Sequence, residues 1–142
     1  MIVVDTGGLL AALDADQRLH EPARAALEAD PGPFLLSPFV LAELDLLLAT
    51  RVSANAEVAF LREVAAGAYR LEPFEAHDVE QAVGLVERYA DLSLGLAHAS
   101  MVVLAGRHGT TRLLTLDERH FRTVRPLTGR SFMLVPADAA PG

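Results

Sequence analysis

Five short apolar runs, each too short for a helix, are set apart by stretches mostly far too long for hairpin turns. Residues 2–4 (IVV), 34–36 (FLL), 69–72 (YRLE), 112–116 (RLLTL) and 131–135 (SFMLV) read as strands. Antiparallel neighbours can be joined by two residues, whereas parallel neighbours need a crossover of a dozen or more, usually a helix. Helical segments fill most of the gaps here. Residues 20–29 (HEPARAALEA) form one and are stopped by the PGP at 31–33. Ser37-Pro38 is a strong start for the helix running to about residue 51, with serine as cap and proline at the first helical position. Ser53 caps another helix to about residue 66. Residues 76–90 form a helix with Val79, Ala82, Val83 and Val86 on one face, and residues 94–107 form the next. Buried strands alternating with helices predict an α/β fold, a parallel sheet covered on both faces.

The 142 residues suit one domain, residues 1–136, followed by a short tail at 137–142. At 51% hydrophobic, the chain can bury a sizeable core without cross-links, and it has no cysteine to make any. Met1 leads straight into the first strand with no basic segment, which predicts no secretory signal. No apolar run approaches the roughly 18 residues of a membrane helix. The expected location is the cytoplasm.

In parallel sheets, sites form beyond the carboxyl ends of the strands. Asp5 follows the first strand and Asp117 follows the strand at 112–116. Glu43 lies in the second turn of the helix after the second strand. A parallel sheet brings these three acids to one edge, where like charges are costly unless a cation neutralises them. Clustered carboxylate oxygens suit Mg²⁺ or Mn²⁺. Glu43 stands out because Leu41, Ala42, Leu44, Leu46, Leu47 and Leu48 surround it. Asp5 ahead of Thr6-Gly7-Gly8 also has the pattern of a turn cap, and Asp117 that of a turn or short-helix start. Asp91 reads as a helix-end residue. Thr6 and Thr115 are placed to donate hydrogen bonds to the acids or simply to pack.

The net charge of −7 argues against a simple nucleic-acid-binding domain, but the charge is uneven. Residues 1–90 carry a balance of −9 and residues 91–130 a balance of +3, and every fixed cation is arginine. Arg107, Arg112, Arg119, Arg122, Arg125 and Arg130 are suited to steering a phosphate backbone toward an acidic pocket, Arg112, Arg119 and Arg122 being the strongest candidates.

MIVVDTGGLLAAL, SPFVLAELDLLL, YADLSLGLAHAS and TRLLTLDERHF, in that order and at those spacings, resemble the PIN-domain ribonucleases, and among them the VapC toxins of bacterial toxin–antitoxin pairs. The resemblance runs from Met1 to about Pro136. It implies a three-layer α/β/α sandwich around a parallel sheet of about five strands. It also implies metal-assisted hydrolysis of RNA by an acid quartet that binds Mg²⁺ or Mn²⁺, with ribosomal RNA in an exposed loop as substrate, or else tRNA. The implied partners are a VapB-type antitoxin and a second copy of the toxin. Three quartet positions match: Asp5, Glu43 and Asp117. The remaining acid belongs in a segment like LGLADAS, where this chain has His98. Asp91, often acidic in relatives, is placed to support the site.

His98 shares a helix face with Leu94, Met101, Val102 and Ala105, so a core position and a site position are both open on spacing. Facing the acids, a neutral imidazole brings one lone pair where aspartate brings a charge and two oxygens. The expectation is poor Mg²⁺ binding and weakened or lost cleavage. The alternative is a catalytically dead fold that only engages an antitoxin or RNA. Two other acid-bearing folds fit less well. A haloacid-dehalogenase-type phosphotransferase wants a second aspartate where Gly7 stands, and both that enzyme and a receiver domain need a lysine that this chain lacks.

Overall fold

In the computed structural model, which describes residues 1–139, a five-stranded parallel sheet is wrapped by seven α-helices. The strands are β1 (Ile2–Val4), β2 (Phe34–Leu36), β3 (Arg70–Leu71), β4 (Arg112–Leu114) and β5 (Met133–Val135), in the spatial order β3-β2-β1-β4-β5. Val3 pairs with Leu35 on one side and Leu113 on the other. The three central strands are apolar and buried on both faces apart from the edge of β2 and the first residue of β4, as a doubly covered parallel sheet requires. The chain moves outward from β1 to β2 and β3, then crosses back to β4 and β5. The strand order therefore reverses between β1 and β4, and in such sheets the crevice opens where it does so.

The helices are α1 (Thr6–Leu13), α2 (His20–Ala29), α3 (Pro38–Leu47), α4 (Ala54–Ala65), α5 (Ala76–Arg88), α6 (Leu96–His108) and α7 (Glu118–Thr123). Ser37 and Ser53 cap α3 and α4 with their hydroxyls, as the sequence predicts. Helix α6 runs through the core: Ala97 and every residue from Ala99 to Ala105 are buried.

Two features depart from the expectations of the sequence. First, α1 occupies the stretch where Gly7 and Gly8 mark a turn. A Cβ at Gly8 would lie 2.6 Å from the carbonyl oxygen of Leu114, so this glycine lets α1 pack against β4. Second, Val79, Val83 and Val86 are exposed, and α5 instead buries Asp78, Ala82 and Leu85. Arg107 of α6, bound to Asp78 at 3.0 Å, draws that face inward. The segment after β5, where the short tail begins, folds back. Asp138 accepts from the backbone N–H of Leu134 and from Arg122. Residues 140–142 of the expected tail lie outside the described residues.

Candidate metal centre at the carboxyl edge of the sheet

The end of β1 delivers Asp5 to the crevice, 3% exposed. Its Oδ1 accepts from the Thr6 backbone N–H at 2.8 Å, capping α1. Its Oδ2 accepts from the Thr115 hydroxyl at 2.6 Å. Thr115, just past β4, also accepts from the backbone N–H of Asp117 at 3.0 Å. Asp117 caps α7: its Oδ1 accepts from the His120 backbone N–H at 2.9 Å, which leaves Oδ2 directed elsewhere. Glu43, exposed on α3, accepts from the Thr6 hydroxyl at 3.1 Å. The two threonines thus tie the three acids together across β1, α3 and β4.

His98, in the first turn of α6, fills the space between them. Its Nε2 lies 3.3 Å from Asp5 Oδ2 and its Nδ1 3.7 Å from Asp117 Oδ2, with the side chain 20% exposed. Burial works to lower the pKa of this imidazole. The hydrogen bond to Asp5 and the charges of Asp5, Asp117 and Glu43 outweigh it, so the pKa is raised above the ordinary value of 6.5.

The structure adds a residue that the sequence reading passed over. His120 Nδ1 lies 2.9 Å from His98 Nδ1 and 3.1 Å from Asp117 Oδ2. Its Nε2 donates to the Leu92 carbonyl at 2.8 Å. The available signal was the spacing Asp117-x-x-His120 at a helix start, which puts both on one face. Among the described residues, His98, Asp117 and His120 form the one group of three potential ligands with all donor atoms within 4.8 Å of one another. The donors suit a divalent cation, but the tightest cluster carries two nitrogens and one oxygen, unlike an all-carboxylate quartet.

The cleft has two lobes. One, of about 590 Å³, is bordered by Asp5, Glu43, His98, Asp117 and Arg119. The other, of about 470 Å³, is bordered by Phe39, Glu43, Leu96, His98 and His120. Asp91 lies on the exposed turn before α6 and borders neither lobe. The arginines divide. Arg119 borders the cleft and makes no ion pair among the described residues. Arg122 is held by Asp138 at 2.6 Å and Glu118 at 3.0 Å. Arg112 stands at the amino end of β4, the edge away from the acids, and binds Asp30 at 2.9 Å. Arg107 is engaged with Asp78 and the Pro73 carbonyl.

Comparison with known proteins places this geometry in context. The PIN domain family matches residues 2–126. Ribonuclease VapC26 of Mycobacterium tuberculosis is 43% identical over 135 residues, covering 95% of this chain and all of that protein. The crystal structure of VapC20 of the same organism, a toxin that cleaves the sarcin–ricin loop, superposes with a TM-score of 0.77 at 25% identity, over 82% of this chain and 90% of that one. A toxin–antitoxin complex from Klebsiella pneumoniae contains a chain of the same fold, with a TM-score of 0.68 at 20% identity, over 94% of this chain and all of that one.

Proposed function

The chain belongs to the VapC family of PIN-domain ribonucleases, and from that premise we propose that it is the toxin of a toxin–antitoxin pair, an RNA-cleaving enzyme whose site is weakened by His98. The observation that carries this reading is the meeting of Asp5, Glu43 and Asp117 at the β1/β4 crevice, with His98 inserted among them. The substrate proposed is an exposed ribosomal RNA loop, in line with the sarcin–ricin loop cleaved by VapC20, with tRNA as the alternative.

Mg²⁺ or Mn²⁺ would be held by Asp5, Glu43 and Asp117 with His98, and when bound supplies an activated water and offsets the negative charge that develops at phosphorus. The protein's own groups do the rest. Thr115 and Thr6 hold Asp5 and Glu43 in fixed orientations. Arg119, at the rim and in no ion pair among the described residues, attracts the RNA backbone. His98 sets a nitrogen 3.3 Å from Asp5 where the relatives' pattern expects a charged, bridging carboxylate, and this weakens Mg²⁺ binding.

The proposed partners are a VapB-type antitoxin and a second copy of the chain, working in the cytoplasm. Two exposed apolar surfaces support partners: Leu46 on α3, 62% exposed, and Val79, Val83 and Val86 on α5. No helix among the described residues is long and apolar enough to cross a membrane.

The test is RNA cleavage by this chain beside His98→Asp, in Mg²⁺ and in Mn²⁺, with a chelator control. Cleavage by the Asp form alone supports a nuclease disabled by His98. Cleavage by both forms supports an active toxin that tolerates it. A second reading, a PIN fold that binds without cutting, is favoured by the contacts of His98 with Asp5 and Asp117. Antitoxin binding with no cleavage by either form would establish it.

A further inference from the structure

We propose that His98 Nδ1, His120 Nδ1 and Asp117 Oδ2 form a binding site for a nitrogen-preferring transition-metal dication, of the Zn²⁺, Co²⁺ or Ni²⁺ class, rather than for Mg²⁺. This goes beyond the nuclease reading and stands whether or not RNA is cleaved.

The argument begins with the protons. His120 Nε2 faces the Leu92 carbonyl at 2.8 Å, and a carbonyl can only accept, so Nε2 carries the hydrogen. His98 Nε2 faces Asp5 Oδ2, a carboxylate oxygen that likewise accepts, at 3.3 Å. With both rings neutral and protonated at Nε2, the two Nδ1 atoms carry lone pairs 2.9 Å apart, a spacing that a hydrogen on either one turns into a hydrogen bond. Asp117 Oδ2 joins them, and its sister oxygen is already committed to the His120 backbone N–H. Three electron-pair donors converging on one point call for a positive charge between them, either a proton held between the two rings or a metal dication.

The spacing is that of a coordination shell. Ligands about 2.1 Å from a metal lie about 3.0 Å apart when their bonds meet at a right angle and about 3.4 Å apart in a tetrahedron. The three edges here are 2.9, 3.1 and 3.7 Å. The backing is also that of a metal site. A ligating histidine usually passes its other N–H to a carboxylate or backbone carbonyl, which fixes both ring orientation and tautomer. The Leu92 carbonyl does this for His120, and Asp5 lies 3.3 Å from His98 Nε2 to play the same part. Both imidazoles border the cleft, so the remaining coordination positions open to water. Two nitrogens and one oxygen favour zinc and the later first-row ions over magnesium.

The full-length chain, stripped of metal, is titrated with Co²⁺ and followed by visible absorption, alone and with excess Mg²⁺. The expected result is one Co²⁺ per chain that Mg²⁺ does not displace, with affinity falling about tenfold or more in His120→Ala. The exposed His77→Ala should bind Co²⁺ like the parent. Cu²⁺ bound to the unsubstituted chain and read by electron paramagnetic resonance provides a check that needs no variant, and coupling to two imidazole nitrogens is expected. Failure to bind Co²⁺, equal affinity in folded His120→Ala, displacement by excess Mg²⁺, or a copper signal with oxygen ligands only would each overturn the site. The two histidines would then share a proton instead. RNA cleavage is not part of the readout, so failure here leaves the nuclease proposal separately testable.

Discussion

Thr115 donates its hydroxyl proton to Asp5 Oδ2 at 2.6 Å and accepts the Asp117 backbone N–H at 3.0 Å, so one side chain links the carboxylate after β1 to the one after β4. It is 1% exposed. Thr115→Val keeps the shape and strands both partners. The expected cost is about 1–3 kcal/mol of stability, since a buried polar group loses its bond. Cation affinity should fall as well, because Asp5 is no longer held in place. Thermal unfolding reads the first and metal titration the second, and Thr115→Ser should restore much of both.

Helix propensity and packing give opposite signs at Gly8. Alanine is favoured over glycine within a helix by about 1 kcal/mol. Yet the added Cβ would sit 2.6 Å from the Leu114 backbone oxygen, which cannot rotate away as a side-chain tip can. Overpacking of this kind costs about 1–3 kcal/mol. Gly8→Ala is therefore expected to destabilise the protein in chemical denaturation. At Gly84, where a Cβ meets nothing within 4 Å, alanine should stabilise it.

The same glycine marks where the sequence stopped being legible. The central strands can be read from apolar runs because burial on both faces leaves no alternation to interpret. Asp5 and Asp117 follow from the strand ends, and Glu43 from its leucine-rich surroundings. Helix α1 was hidden because two glycines argue for a turn, and the reason for Gly8 is Leu114, more than a hundred residues away. The buried face of α5 is not legible from periodicity because Asp78, buried against Arg107, counts as polar in any pattern. His120 was passed over because its significance depends on a contact with His98, 22 residues earlier and on another helix. Asp91 is a helix-end residue by its place in the sequence and a site residue only by resemblance, and it lies at the surface.

Stability should fall on the acid side through carboxylates remote from the candidate centre. Asp30 is buried. Burial raises its pKa, but the Gly32 backbone N–H at 2.8 Å and Arg112 outweigh this and hold it below the ordinary carboxyl value of 3.8. Asp138, bonded to Arg122 and the Leu134 N–H, is held at about 2. A carboxyl whose folded pKa is depressed contributes stability above its unfolded value and loses it as the pH falls through the folded value. Both contributions are therefore complete above about pH 4 and decline toward pH 2. Asp30→Asn should lower stability at neutral pH and flatten the acid limb of a stability–pH curve. Identical acid limbs in the parent and the variant would contradict this account.

The arginines carry the last prediction. All three strongest candidates are able to contact phosphate by type, but the structure gives them unequal freedom. Arg112 is committed to Asp30 at the amino end of β4, away from Asp5 and Asp117. Arg122 is shared between Asp138 and Glu118. Arg119 borders the cleft beside Glu43, His98 and Asp117 and makes no ion pair among the described residues. A cation that must leave an ion pair to bind phosphate gives up much of what it gains, so the free one should contribute most. Arg119→Ala is expected to weaken RNA binding across sequences and reduce the salt dependence of the affinity by about one counterion, with little change in stability. Arg112→Ala should do the reverse, lowering stability because Asp30 keeps a buried charge without its partner, and leaving the salt slope unchanged. Binding measured at several salt concentrations, alongside thermal unfolding, separates the two. An equal loss of RNA affinity in both variants would place RNA across both edges of the sheet.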